Sequence, residues 1–341
     1  MANPKIEFFR FKLKHKKEEN KTFRQFMLDN GKCMNKDKDE KIFLNLHKYF
    51  MNELYYDFAQ SNSIKKVMTL ISNRGRRTVN KYWDKRPQPN FANNTIAGVI
   101  NGGTYGKDRI VAKLGKKGEA NNLSVDQSVL QYYYIFLYLP LEHNEGFFMI
   151  HTDSADESIS NFARKYIANL FSIGDYQKPT MRVFAPKCFQ DEYREGAVIK
   201  TMSFQTTYVD NQIENDNPMK DVMGDYDVKI SITPKGDGDK SLGILNGIRN
   251  YIASLNFGKQ NYTKQLGEFD RCTVYTRNDE TKASKAFDWN MRDSELAPVV
   301  YLNEKVAIDN DGTVNLTALD NYCKELFNTV ILKELRPDLY V

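Results

Sequence analysis

The sequence predicts an α+β fold of mostly antiparallel sheets with amphipathic helices packed on them. Short apolar or alternating runs recur along the chain, bounded by glycine, proline and asparagine clusters, as strands and their turns require. A strand–turn–strand–helix unit, the layered unit of α+β folds, is legible between Tyr132 and Phe171. Stretches near residues 159–171, 242–255 and 316–330 repeat apolar residues at helical spacing.

Lys5 to Leu13 alternates in part, with Ile6, Phe8, Phe11 and Leu13 between charges, and reads as an opening strand. Thr22 to Leu28 reads as a short helix ending at Gly31, Asn35 to Lys41 as a polar loop, and the uninterrupted Ile42 to Phe58 as a helix. Ile64 to Ile71 is a strand; Asn73-Arg74-Gly75 turns the chain, and Thr78 to Trp83 is expected to return as its hairpin partner. Pro87 and Pro89 are expected to stop any regular element. Thr95 to Ile100 and Arg109 to Leu114 flank the glycine-rich segment Asn101 to Gly106, which reads as the turn of a second hairpin or a wide loop. Gly115 to Asn122 is polar and glycine-containing, and is the expected domain boundary.

Tyr132 to Leu139 is a buried-strand run, Pro140 to Glu145 a turn, and Phe147 to His151 the next strand. Ser154-Ala155-Asp156-Glu157 matches a capping box. The helix after it presents Ile159, Phe162, Ala163, Tyr166, Ile167, Leu170 and Phe171 on one face and ends at Gly174. Strands are expected at Ala197 to Val209, Tyr226 to Thr233, Arg271 to Thr276 and Pro298 to Leu302, with a helix carrying Leu242 to Leu255 among them. A final helix, capped by Asn315, carries Leu316, Leu319, Tyr322, Cys323, Leu326, Phe327 and Val330.

With 341 residues, 41% apolar and 13% aromatic, the chain has material for a core that needs neither disulfide nor metal. The longest apolar run extends only from Tyr132 through Leu141, short of the roughly 20 residues of a spanning helix. The charged N-terminus lacks the continuous apolar stretch of a secretory signal, so no membrane association and a cytoplasmic location are expected. Cys33, Cys188, Cys272 and Cys323 are scattered and read as free thiols, with Cys272 and Cys323 in the core. Cysteine and histidine lack zinc-ligand spacing, and neither a metal nor a cofactor is expected.

The net charge of +5 conceals an asymmetry. Residues 1–120 hold 26 Lys or Arg against 12 Asp or Glu, a net of +14; residues 121–341 hold 23 against 32, a net of −9. The expected organisation is therefore a basic region with β-hairpins to about residue 120 and an α+β domain of acidic balance from 121 to 341. A basic region selects an anionic partner: nucleic acid, an acidic protein, or an acidic surface of the same chain. Lysine, asparagine and tyrosine richness gives the chain the cast of a bacterial protein from a defence or mobile-element system.

The principal candidate site is the basic aromatic stretch Lys65, Lys66, Arg74, Arg76, Arg77, Lys81, Tyr82, Trp83, Lys85 and Arg86, with Lys107 and Arg109 extending the same surface. Cations neutralise phosphates and release counterions, and aromatic rings offer faces to unpaired bases. The bland account is a solvated basic hairpin or one docked on the chain's own acidic half. Gly98 to Gly106 matches neither dinucleotide nor P-loop spacing, since Asp108 stands where Ser or Thr is required; a hairpin explains it better than a phosphate cradle.

A second reading is a metal-dependent nuclease. Asp227-Val228-Lys229 in a strand resembles the carboxylate–lysine arrangement of restriction-like nucleases, with Asp210 as upstream acid and Mg²⁺ as the implied cofactor. A solvent-exposed ion pair is the bland account. A third reading is a non-enzymatic scaffold whose oppositely charged regions meet between copies or hold a protein partner. His143, His151 and Asp153 lie close together without a recognisable nucleophile and read as a turn histidine and a structural pair. Tyr132, Tyr133 and Tyr134 read as core residues with satisfied hydroxyls rather than a stacking surface.

Overall fold

The computed structural model describes residues 4–73, 78–113, 115–153, 158–194, 197–208, 226–235, 241, 250–257, 264–269, 271–278, 284–288, 300–303 and 305–340. The chain forms two compact units, Met1–Phe184 with Val300–Val341, and Ala185–Val299. Both are built on antiparallel sheet, so the fold is α+β as the sequence predicts.

The first unit opens with β1 (Lys5–Lys12), β2 (Lys14–His15), α1 (Phe23–Asp29), α2 (Asp39–Tyr56), β3 (Ala59–Ser61), β4 (Lys66–Leu70), β5 (Gln88–Asn90) and β6 (Thr95–Thr104). It continues with β7 (Arg109–Lys113), β8 (Lys116–Leu123), β9 (Val129–Tyr138), β10 (Glu145–Thr152), α3 (Ser160–Leu170), β11 (Tyr176–Gln177) and β12 (Arg182–Val183). The main sheet runs β12-β1-β10-β9-β6-β4-β3, with β5 paired to β6.

Period-two alternation gives the sheet two buried faces. One face carries Phe9, Phe11, Ile96, Ile100, Tyr133, Ile135, Leu137, Phe148 and Ile150, packed in one cluster with Phe23 and Phe26 of α1, Phe43 and Leu46 of α2, and Phe162 and Ile167 of α3. Burial on both sides explains why β9 and β10 read as continuous apolar runs rather than alternating ones.

The helices begin where the chemistry permits. Thr22 caps α1 in a reciprocal box with Gln25: Gln25 N donates to Thr22 Oγ1, and Thr22 N donates to Gln25 Oε1. The α2 helix starts at Asp39, inside the segment expected to be a loop, and its first turn carries Asp39 and Glu40, favoured at the positive end of a helix. The expected capping box Ser154–Glu157 lies outside the described residues; α3 begins at Ser160, whose backbone N–H donates to Ser158 Oγ.

Two expected hairpins are replaced by other pairings. Thr78 to Trp83 is not the return strand of β4, whose partners are β3 and β6. Asn80 folds that segment locally instead: its Oδ1 accepts from Tyr82 N, and Trp83–Lys85 form a 3₁₀ turn. Nor is Asn101 to Gly106 a turn up to Thr104. The β6 strand runs through Gly102 and Gly103, paired with β4 on one side and β9 on the other. These glycines serve close approach: a Cβ at Gly103 would lie 2.2 Å from the Val129 carbonyl oxygen, and one at Gly102 would lie 2.6 Å from Ile159. Pro89 does not stop regular structure either, because among the described residues β5 pairs only with β6 and an edge position needs no second ladder.

The expected boundary near residue 120 falls inside β8, and β6 and β9 pair along ten positions across it. Charge divides the chain there; packing does not.

In the second unit, α4 (Lys187–Arg194) precedes β13 (Ala197–Tyr208), β14 (Tyr226–Ile232), β15 (Asn256–Phe257), β16 (Lys264–Gln265), β17 (Arg271–Asn278) and β18 (Ser284–Asp288). Four strands pair in the order β14-β13-β17-β18 around a core of Ile199, Met202, Phe204, Leu266, Cys272 and Val274. Most of the expected helix from Leu242 to Leu255 lies outside the described residues.

The chain then returns to the first unit with β19 (Val300–Tyr301), which pairs with β1, and α5 (Leu316–Leu326). Asn315 caps α5 by accepting from Ala318 N. The helix continues through a π-helical turn that sets Phe327 against Phe136, Tyr138 and Phe147 on the second face of the main sheet. No helix among the described residues is long and apolar enough to cross a membrane.

Candidate nucleic-acid interface

The basic surface of the first unit is organised along β6. At one end, Lys66 Nζ donates to Thr104 Oγ1 at 2.8 Å, and Lys65 lies over the Tyr105 ring at 5.4 Å. Lys65 and Gly106 crowd each other, Gly106 turns the chain at φ +84°, and Lys107 and Arg109 follow. At the other end, the backbone of Lys85 to Pro87 rests on Gly98: a Cβ there would lie 2.5 Å from the Lys85 carbonyl oxygen. Gly98 is thus required for the 81–86 segment to lie against the sheet.

Within that segment each described ring carries a cation. Arg86 stacks 3.5 Å over Trp83 while its Nε donates to the Trp83 carbonyl oxygen at 3.0 Å. Lys81 lies 4.7 Å over Tyr82 and 6.0 Å over Tyr132, and those two rings meet edge to face at 4.7 Å. Buried Asn80 fixes the arrangement by donating through Nδ2 to the Tyr132 hydroxyl at 2.9 Å. Rings expected to offer stacking faces therefore hold the chain's own cations in place. The sequence contains the ring and cation types but not their contacts.

The charges are not equally available. The Lys81 ammonium is held above its usual range by a hydrogen bond with Tyr82, less its partial desolvation, with the fields of Asp311 and Asp309 adding to the rise. It faces carboxylates of the same chain. By contrast, no carboxylate among the described residues pairs with Lys65, Lys85, Lys107 or Arg109. Arg74, Arg76 and Arg77 lie outside the described residues.

A cleft of about 190 Å³ opens beside the segment. Asp84, Lys85, Arg86 and Gln88 form one wall, Asp320 and Lys324 of α5 the other, and Ala97, Val99 and Tyr134 the floor. Its volume is below the 300 Å³ or so of a typical ligand pocket. Tyr134 donates to Asp320 Oδ1 at 2.8 Å and Lys324 Nζ to Oδ2 at 2.7 Å, so Asp320 is internally satisfied. Tyr133 and Tyr134 are core residues as expected, whereas Tyr132 is half-buried at the edge of the basic segment. Sequence reasoning did not place Asp320 or Lys324 here; only the packing of α5 brings them to β6.

The nuclease candidates are placed less fully. Asp227 pairs with Thr207 and Lys229 with Gln205 in the β14–β13 ladder, Lys229 is exposed, and Asp210 lies outside the described residues. Among the described residues no three His, Cys, Asp or Glu side chains converge as metal ligands. His151 is fully buried and shares a 3.0 Å hydrogen bond with Asp153 through Nε2; its buried Nδ1 has no partner among the described residues. His143 lies in the turn before β10.

The first unit is thus a helix-covered antiparallel sheet with a cationic rim. The chain matches no protein-family model, no curated protein and no solved structure.

Proposed function

We propose that the protein binds nucleic acid through the cationic rim of its first unit. What supports the reading is one arrangement: Lys65 lies against Gly106 just past the end of β6, Lys107 and Arg109 follow that glycine, the backbone of Lys85 rests on Gly98 of β6, and none of the four pairs with a described carboxylate. Trp83, Tyr82 and Tyr105 hold neighbouring cations over their rings, which lowers the entropy lost when a polyanion fixes long side chains. The affinity is electrostatic in origin, from counterion release, and carries little base specificity by itself.

The test is titration of labelled oligonucleotides over a range of salt concentrations. The expected result is tight binding at low salt, with log affinity falling linearly with log salt. Replacing Lys65 and Lys85 by Ser is expected to weaken binding across all sequences and to reduce the salt slope by about 0.7–0.9 for each contact removed. Absent binding at low salt, or salt-independent binding, overturns the reading.

A further inference from the structure

We infer that the β7–β8 ribbon is a groove-entering arm and that its ligand is B-form DNA. The inference rests on the nucleic-acid reading above and names the form of nucleic acid. Strands β7 and β8 make a two-stranded sheet of their own. Arg109 at its base is half-buried, whereas Ile110, Val111, Ala112, Ala120, Asn121 and Asn122 are exposed. An isolated ribbon is at best marginally stable in water, so this one gains by seating against something.

Its chemistry selects the occupant. Ile110 is 71% exposed and Val111 48% exposed. Adjacent residues of a strand point to opposite faces, so apolar side chains project from both sides. A flat surface, such as a lipid bilayer, covers one face and leaves the other in water. A groove with two walls covers both. Between residues 107 and 123 the sequence carries five Lys or Arg against Asp108 and Glu119, so the groove must present anionic groups along its rim and apolar groups inside. A second copy of the ribbon would repel it for the same reason.

The major groove of B-form DNA, about 12 Å wide, admits a two-stranded ribbon, is walled by phosphates and displays thymine methyl groups. The corresponding groove of duplex RNA is too deep and narrow for side chains to read. A five-residue strand extends about 17 Å, more than the roughly 8.5 Å depth of the DNA groove.

Fluorescence anisotropy of the full chain tests this with three probes: a DNA duplex, its separated strands, and the RNA duplex of the same sequence. The DNA duplex is expected to bind tightest. The K107S/R109S variant is expected to lose at least about tenfold in duplex affinity and to reduce the salt slope by about 0.9 per contact removed. The I110T/V111T variant is expected to weaken duplex binding with an unchanged salt slope, because the contacts it removes are apolar. Equal affinity for duplex and strands, or duplex binding untouched by both variants, overturns the ribbon assignment while leaving the broader nucleic-acid reading standing. Loss of self-association or of vesicle binding in these variants, with DNA binding unchanged, also overturns it. Failure to bind any of the three probes overturns both.

Discussion

The Tyr134 hydroxyl donates to Asp320 Oδ1 at 2.8 Å, joining the centre of the main sheet to the last helix across 186 positions of the chain. Both residues line the cleft beside Lys85 and Arg86, and Lys324 holds the other oxygen of Asp320. Replacing Tyr134 by Phe removes the donor and leaves a mostly buried carboxylate oxygen without it. The expected cost is about 1–3 kcal/mol, read as a lower denaturant midpoint with unchanged slope.

The same hydroxyl gives the fold an alkaline limit. Burial, with Cys323 and Asp320 adding to it, raises the Tyr134 pKa well above its ordinary value, and burial likewise raises that of Tyr166. In the unfolded chain both ionise near pH 10. The folded state therefore holds more protons above that pH, and stability, fully present below about pH 10, falls as pH rises towards the folded values. Each tyrosine contributes up to about 1.4 kcal/mol per pH unit in that window. Denaturation curves between pH 9 and 11 check this, and Tyr166→Phe is expected to reduce the alkaline loss.

Gly98 is the contact on which the basic segment is seated. In Gly98→Ala the new methyl would lie 2.5 Å from both the Lys85 carbonyl oxygen and the Pro87 nitrogen, which are backbone atoms with little freedom to move. The expected outcome is a loss of about 2–4 kcal/mol together with faster proteolysis near residues 81–88. Wild-type protease resistance in this variant would show that the segment does not depend on the glycine.

Asp153 accepts from two buried donors, His151 Nε2 at 3.0 Å and Val314 N at 3.4 Å. Among the described residues His151 Nδ1 has no partner, so loss of the Asp153 bond leaves this buried imidazole with no described hydrogen bond at either nitrogen. Asp153→Ala is expected to destabilise by about 1–3 kcal/mol, more than removal of an exposed aspartate. A thermal melt of Asp153→Ala beside Asp57→Ala makes the comparison.

Thr22→Ala removes one half of the α1 capping box and is expected to cost about 1 kcal/mol. Because Phe23, Phe26 and Met27 of that helix are fully buried in the main core, the cost should appear in the global unfolding transition rather than as local fraying.

Much of the fold was legible because its signals are local. The helical spacing of Ile159 to Phe171, the continuous run Tyr132 to Leu139 and the Asn315 cap each lie within one stretch of chain, and each element stands where the pattern puts it. The errors share one cause. Gly102 and Gly103 suggest a turn because glycine permits one, whereas what places them is the proximity of Ile159 and Val129. Likewise, Thr78 to Trp83 has strand-forming composition, but the Asn80 side chain captures its own backbone and Tyr132.

The sequence by itself determined the antiparallel α+β class, the Asn315 cap of α5, the burial of Tyr133 and Tyr134 and the excess of cations in the first third. All follow from side-chain period and charge, which are properties of neighbours along the chain. Tertiary structure alone decided that β6 pairs across the charge boundary with β9, that α5 brings Asp320 and Lys324 beside Lys85, and that the rings at 82 and 83 hold cations. Those outcomes depend on which surfaces fit against each other, and steric fit between distant segments leaves no period in a sequence.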